Sequence, residues 1–162
     1  MEFIRLQDIG NQIEEMSSMA TEIVREHYDP IIGEEQNDYM IGIFQSPEAI
    51  KEQMSEGADY YFIRKDNANL GFMSFYLRGD VLYLSKFYLY SDCRGKGYSR
   101  KMLSFLIETA RENRCRRIEL NVNRNNPAVQ AYEHLGFKRL REEKNHIGNG
   151  FVMDDYVYVM DV

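Results

Sequence analysis

Tryptophan is absent from this 162-residue chain, proline occurs three times and cysteine only twice. Cys93 and Cys115 stand far apart, with no Cys-x-x-Cys and no histidine beside them. A structural zinc site needs about four clustered ligands, so no metal is expected. His27, His134 and His146 are scattered and form no His-Glu-x-x-His motif. No apolar run approaches the ~18–20 residues that span a bilayer. Met1 to Arg5 opens no basic-then-apolar signal, so a reduced, cytoplasmic protein is the expectation. Positive charge is also scarce: 20 Lys and Arg face 26 Asp and Glu, a net charge of −6. Bulk attraction to nucleic acid or to a membrane surface is therefore not expected, and any anionic ligand needs a local site.

What is present fits one globular domain over residues 1–162. The length lies within the usual range of a single domain, and 44% hydrophobic with 28% charged residues is ordinary globular usage. Phe3 to Leu6 reads as a short strand. Ile9, Ile13, Met16, Met19, Ala20, Ile23 and Val24 recur at helical spacing and predict a helix to about His27. Two short helices are expected between Gly33 and Gly57, the second capped by Ser46 with Pro47 at its first position. The period then changes to that of strands at Tyr60 to Arg64, Leu70 to Leu77 and Val81 to about Tyr90, joined by the turns Asp66 to Asn69 and Arg78-Gly79-Asp80. A helix follows, carrying Met102, Phe105, Leu106, Thr109 and Ala110. Next come a strand from Ile118 to Val122, a helix from Asn126-Pro127 to Gly136, and two last strands, Phe137 to Lys144 and Phe151 to Asp161. The sum is an α/β chain with a mixed, mostly antiparallel sheet flanked by helices, not a regular βαβ repeat.

Two segments carry chemistry. The first, Arg94-Gly95-Lys96-Gly97-Tyr98-Ser99, leaves a strand and opens a helix. Free N–H groups at a helix N-terminus and the helix dipole favour an anion there, two glycines let the backbone come close, and Arg94 and Lys96 add countercharge. A Rossmann fingerprint is excluded because Arg100 fills the place of the third glycine and antiparallel hairpins precede the loop. No Gly-x-x-x-x-Gly-Lys-Ser/Thr occurs, which excludes a P-loop. The second segment runs from Asn125 to Phe137: Asn-Asn-Pro-Ala-Val-Gln-Ala-Tyr-Glu-His-Leu-Gly-Phe.

In this order, some thirty residues apart, the pair resembles the GCN5-related N-acetyltransferase superfamily. Arg94 and Gly97 match the diphosphate motif of that family, with Ser99 in its last small-residue place, where it still offers an N–H and little bulk. Asn125, Ala128, Tyr132, Glu133, Gly136 and Phe137 match the second motif. The resemblance implies the acyl-CoA N-acyltransferase fold and acetyl-CoA as co-substrate, lying in a V-shaped opening between two strands. It implies that backbone groups near Phe87 and Leu89 pair with the pantetheine arm. It also implies that the N–H groups of Gly95, Lys96, Gly97, Tyr98 and Ser99 take the diphosphate beside Arg94. Asn125 or Asn126 would meet the cofactor near its reactive end, and Tyr132 would face the thioester sulfur.

Attack of an amine on a thioester expels a thiolate, and a phenol of pKa ~10 can protonate it. The amine must first lose a proton, at a cost of about 4 kcal/mol for an amine of pKa ~10 at pH 7. Ser85 to Leu89 offers no glutamate as a base. Glu119, with Asn121 and Asn123 on its side by alternation, and Glu34, Glu35 and His27 are the candidates, and none is singled out. The acceptor is a small-molecule or peptide amine. Glu34, Glu35, Asp38, Asp154 and Asp155 would suit a cationic amine or polyamine, and Phe151 to Asp155 resembles the end of bacterial polyamine-type members. The C-terminal strands offer an edge for a homodimer. Two rival readings stand beside the transferase: a CoA-binding sensor without catalysis, and a binder of other anions such as ATP or diphosphate.

Overall fold

Apolar residues at i, i+3, i+4 and i+7 give one helix a continuous buried stripe, and alternating apolar residues give the strands theirs. In the computed structural model, which describes residues Met1–Val162, these become seven strands and five helices. In chain order they are β1 (Glu2–Arg5), α1 (Gln12–Ile32), α2 (Glu34–Phe44), α3 (Pro47–Ser55), β2 (Asp59–Lys65), β3 (Ala68–Arg78) and β4 (Val81–Leu89). Then follow α4 (Tyr98–Glu112), β5 (Arg117–Asn123), α5 (Ala128–Leu135), β6 (Lys138–Gly148) and β7 (Phe151–Asp161). The strands form one sheet in the order β1-β2-β3-β4-β5-β7-β6. The β4–β5 pairing is parallel, whereas β1–β2, β2–β3, β5–β7 and β6–β7 are antiparallel. The expected mixed, mostly antiparallel sheet flanked by helices is the observed one. No helix is long and apolar enough to cross a membrane.

Two units divide the chain. The first comprises Met1–Tyr76 and Lys86–Tyr98. Its core joins Ile13, Met16, Met19, Ala20 and Ile23 of α1 to Ile50, Tyr60, Phe62 and Phe72. Each buried Ile, Met or Phe among them contributes ~1.5–3 kcal/mol by leaving water. The helix α1 runs beyond the expected end at His27. Pro30 lies inside its last turns, where it forgoes one bond to the carbonyl four residues back, and the stop comes at Gly33, whose N–H bonds Asp29 O at 3.1 Å. Ser46 caps α3 as expected, its Oγ accepting from Ala49 N at 3.1 Å with Pro47 next to it. A two-residue turn at Asp66-Asn67, both with positive φ, joins β2 to β3. Gly71 is required by a close approach: a Cβ there would overlap the Tyr88 carbonyl oxygen and lie 2.8 Å from Leu89 Cα.

The second unit comprises Leu77–Ser85 and Ser99–Val162. Its centre is the long antiparallel ladder of β5 with β7, from Arg117↔Asp161 to Asn123↔Asp155, extended by β6 on the far side of β7. Ile118, Leu120 and Val122 point to one face of β5 and are buried; Glu119, Asn121 and Asn123 point to the other. The helix α4 carries all five expected residues and buries Met102, Leu103, Leu106 and Ala110, with Phe105 and Thr109 half-buried beside them. The helix α5 ends at Gly136 in the left-handed conformation, as its sequence predicts.

Candidate active site

The loop before α4 belongs, up to Tyr98, to the first unit. Gly95 and Gly97 have φ of 74° and 82°, the left-handed region where side chains are strained. A Cβ at either would meet nothing within 4 Å, so backbone conformation rather than crowding calls for glycine. The chain turns there and enters α4 with Tyr98, exposing Arg94, Gly95, Lys96 and Gly97. Arg94 Nη2 donates to Leu89 O at 3.4 Å, which ties the loop back to the end of β4. Lys65 Nζ stands 5.6 Å from the Tyr98 ring centroid and 3.5 Å from its hydroxyl, adding a third cation beside this loop. Phe87 and Leu89 are half-buried on β4. The parallel ladder of β4 with β5 is short, ending at Tyr83↔Glu119, although β4 continues to Leu89 and β5 to Asn123.

Ser99, Asn125 and Tyr132 belong to the second unit. Asn125 is exposed, its backbone N–H bonded to Asn123 Oδ1 at 2.9 Å. Asn126 is buried, and its Oδ1 accepts from Ala128 N at 2.9 Å, a cap on α5. The two neighbours therefore differ: Asn126 holds the helix, while Asn125 faces outward. Tyr132 is half-buried, its ring edge-on to Phe137 with centroids 5.8 Å apart. Glu133 accepts from Tyr158 OH at 2.6 Å, which anchors α5 to β7.

The polar face of β5 carries two groups of opposite character. Glu119, a base candidate from the sequence, is buried and ion-paired to Arg78 and to Arg117, the latter at 3.3 Å. Two guanidiniums occupy its carboxylate, so it is no base in waiting. Two residues on, Asn121 Oδ1 accepts from Tyr83 OH at 2.7 Å, which turns its Nδ2 toward Glu143 Oε1 at 3.1 Å and Asp155 Oδ2 at 3.4 Å. Hydrogen bonds from Asn145 and Asn121, with Arg141, hold Glu143 below the usual carboxylate range. Asp155 is pushed up to about 6, first by burial and then by the charges of Glu143 and Asp154, against the Asn121 hydrogen bond.

Lys86 was not signalled by any motif. It is buried on β4, and its Nζ donates to Phe44 O at 2.5 Å, to Gln53 Oε1 at 3.0 Å and to Tyr60 OH. No carboxylate is paired with it, and burial lowers it to about 7. Its alternation with Leu84, both buried, was the only local sign that it points inward.

The family model of the acetyltransferase (GNAT) family matches residues 21–137. No curated protein matches the chain. Among solved structures, the chain is similar to the PaiA N-acetyltransferase of Thermoplasma acidophilum in complex with coenzyme A, at TM-score 0.74 and 18% identity, covering 100% of both chains. It is also similar to a GCN5-related N-acetyltransferase from Rhodopseudomonas palustris, at TM-score 0.80 and 12% identity, covering 100% of this chain and 97% of that one. A GNAT family acetyltransferase from Elizabethkingia anophelis with acetyl-CoA bound gives TM-score 0.60 and 15% identity, over 72% of this chain and 84% of that one. At these identities the likeness is one of fold.

Proposed function

This chain belongs to the acetyltransferase (GNAT) family, and we propose that it moves an acetyl group from acetyl-CoA to a primary amine by direct attack in a ternary complex. The observation that carries this reading is the extent of the match: residues 21–137 include both the Arg94 to Ser99 loop and the whole Asn125 to Phe137 motif. Structural relatives solved with coenzyme A or acetyl-CoA support the same co-substrate.

In this reading the N–H groups of Gly95, Lys96, Gly97, Tyr98 and Ser99 cradle the diphosphate, with Arg94 and Lys96 as countercharge. Main-chain groups near Phe87 and Leu89 pair with the pantetheine arm as an added strand would. Asn125, whose side chain is not engaged in capping α5, contacts the thioester end. The amine nitrogen attacks the thioester carbonyl, the C–S bond breaks, and the Tyr132 hydroxyl protonates the departing thiolate. The acceptor is a cationic amine of polyamine type, a reading supported by the carboxylates Glu143 and Asp155 that share the polar face of the C-terminal strands.

The test is thiol release from acetyl-CoA in the presence of spermidine, lysine, a peptide N-terminus and an aminoglycoside. Release with at least one amine is expected, and Tyr132→Phe should lower kcat by about 10²-fold or more. An equal rate for Tyr132→Phe removes the phenol from the mechanism. Tight coenzyme A binding with no turnover on any amine would instead support a non-catalytic sensor.

A further inference from the structure

Among the buried carboxylates, Asp155 stands apart. It is 2% exposed, yet no cationic side chain pairs with it, and its one hydrogen bond is the 3.4 Å contact from Asn121 Nδ2. Its neighbours explain this isolation. Across the ladder it faces Asn123 on β5 and Glu143 on β6. Arg141 is engaged with Glu143 at 3.0 Å, and Arg124 with Asp154 at 2.8 Å. The comparably buried Glu119 has two arginines instead. A carboxylate taken from water without a cation is destabilising, and an asparagine would fill the same place without that penalty. The arrangement leaves this one buried carboxylate of the C-terminal strands without a countercharge of its own.

We infer that Asp155 is the general base of the transferase, receiving the ammonium form of the acceptor and taking its proton; this rests on the reading of the preceding section. Tyr83 fixes the Asn121 amide, and Asn121 in turn steadies the Asp155 carboxylate, so Asn121 is a positioning residue. Glu143, kept ionised by Asn145, Asn121 and Arg141, adds a second negative charge beside the incoming cation. The proton balance closes. The carboxylate takes one proton from R–NH3⁺, and the freed lone pair forms the C–N bond. The C–S bond breaks, and the thiolate takes the Tyr132 proton. The second nitrogen proton restores the phenol, and Asp155 returns its own to solvent. The net reaction gives amide, CoA thiol and one proton. Burial strengthens this base: a rise from the ordinary aspartate value to about 6 makes the carboxylate roughly a hundredfold better proton acceptor while leaving it mostly ionised at pH 7.

The experiment compares the full-length wild type with Asp155→Asn and Asp155→Glu, using acetyl-CoA with spermidine or with trifluoroethylamine, an amine already neutral at pH 7. With spermidine, Asp155→Asn should lower kcat about 10²–10³-fold and abolish the acid limb of the pH profile near pH 6. Asp155→Glu should restore part of the rate. With trifluoroethylamine the loss should be less than tenfold. Affinity for coenzyme A should stay within about twofold, and the denaturation midpoint of Asp155→Asn should equal or exceed that of the wild type. Equal losses for the two amines, an unchanged acid limb, or a fall in the midpoint together with coenzyme A affinity would each overturn the assignment. A carbon NMR titration of the unliganded protein gives an independent arm: the Asp155 carboxyl should titrate near pH 6, and titration near 4 sinks the proposal. Absence of thiol release by the wild type with every amine would instead refute the transferase reading itself.

Discussion

Replacing Lys86 by methionine should remove a pH dependence of folding that the wild type carries. In the folded chain the ammonium is buried against Phe44 O, Gln53 Oε1 and Tyr60 OH, without a carboxylate, and titrates at about 7 rather than 10.5. Between those values the unfolded chain binds a proton that the folded chain has released, so stability rises with pH across the interval. The full interval of about 3.5 units corresponds to roughly 5 kcal/mol at 1.36 kcal/mol per unit. The usable window is narrower. Above pH 9 the raised thiols Cys93 and Cys115, and then Tyr90 and Tyr158, act in the opposite sense. Below pH 6 the raised Asp155 contributes stability as it becomes protonated. From pH 7 to pH 9 the wild type should gain about 2 kcal/mol. Urea denaturation at half-unit steps measures this directly, and Lys86→Met should be flat over the same range. A wild type that is flat or loses stability from pH 7 to 9, or a variant with the same slope, would refute the argument.

Gly71→Ala should lower stability by about 1–3 kcal/mol, because its methyl meets the Tyr88 backbone rather than a side chain that can move; thermal unfolding measures it. Glu119→Ala should destabilise by about 2–3 kcal/mol, since Arg78 and Arg117 lose a buried partner. The same variant should retain the acid limb of the rate profile, since Arg78 and Arg117 already occupy the Glu119 carboxylate. Arg94→Ala should weaken coenzyme A binding about tenfold in a calorimetric titration, the worth of a charge-assisted contact to phosphate, with folding within 0.5 kcal/mol of wild type because the side chain is exposed.

The sequence alone determined the features that depend on neighbours along the chain. Ser46-Pro47 and Gly136 place a cap and a helix stop through local backbone chemistry and stand where they were expected, and the turn expected over Asp66 to Asn69 tightens to Asp66-Asn67, with β3 starting at Ala68. The Arg94 to Ser99 loop and the Asn125 to Phe137 motif, which contains α5, were legible for the same reason, and they pointed to the family from the sequence. Local chemistry misjudged the end of α1, because Pro30 is tolerated in a last turn that Gly33 closes. Tertiary structure alone decided how the ionisable groups are set. Lys86 meets partners 42, 33 and 26 residues away, and Glu119 meets Arg78 from 41 residues away. Asp155 is left among Asn121, Asn123 and Glu143 by strand register. A carboxylate or ammonium takes its protonation and its role from whatever charge and water surround it, and in this chain those surroundings are assembled from distant segments by the sheet.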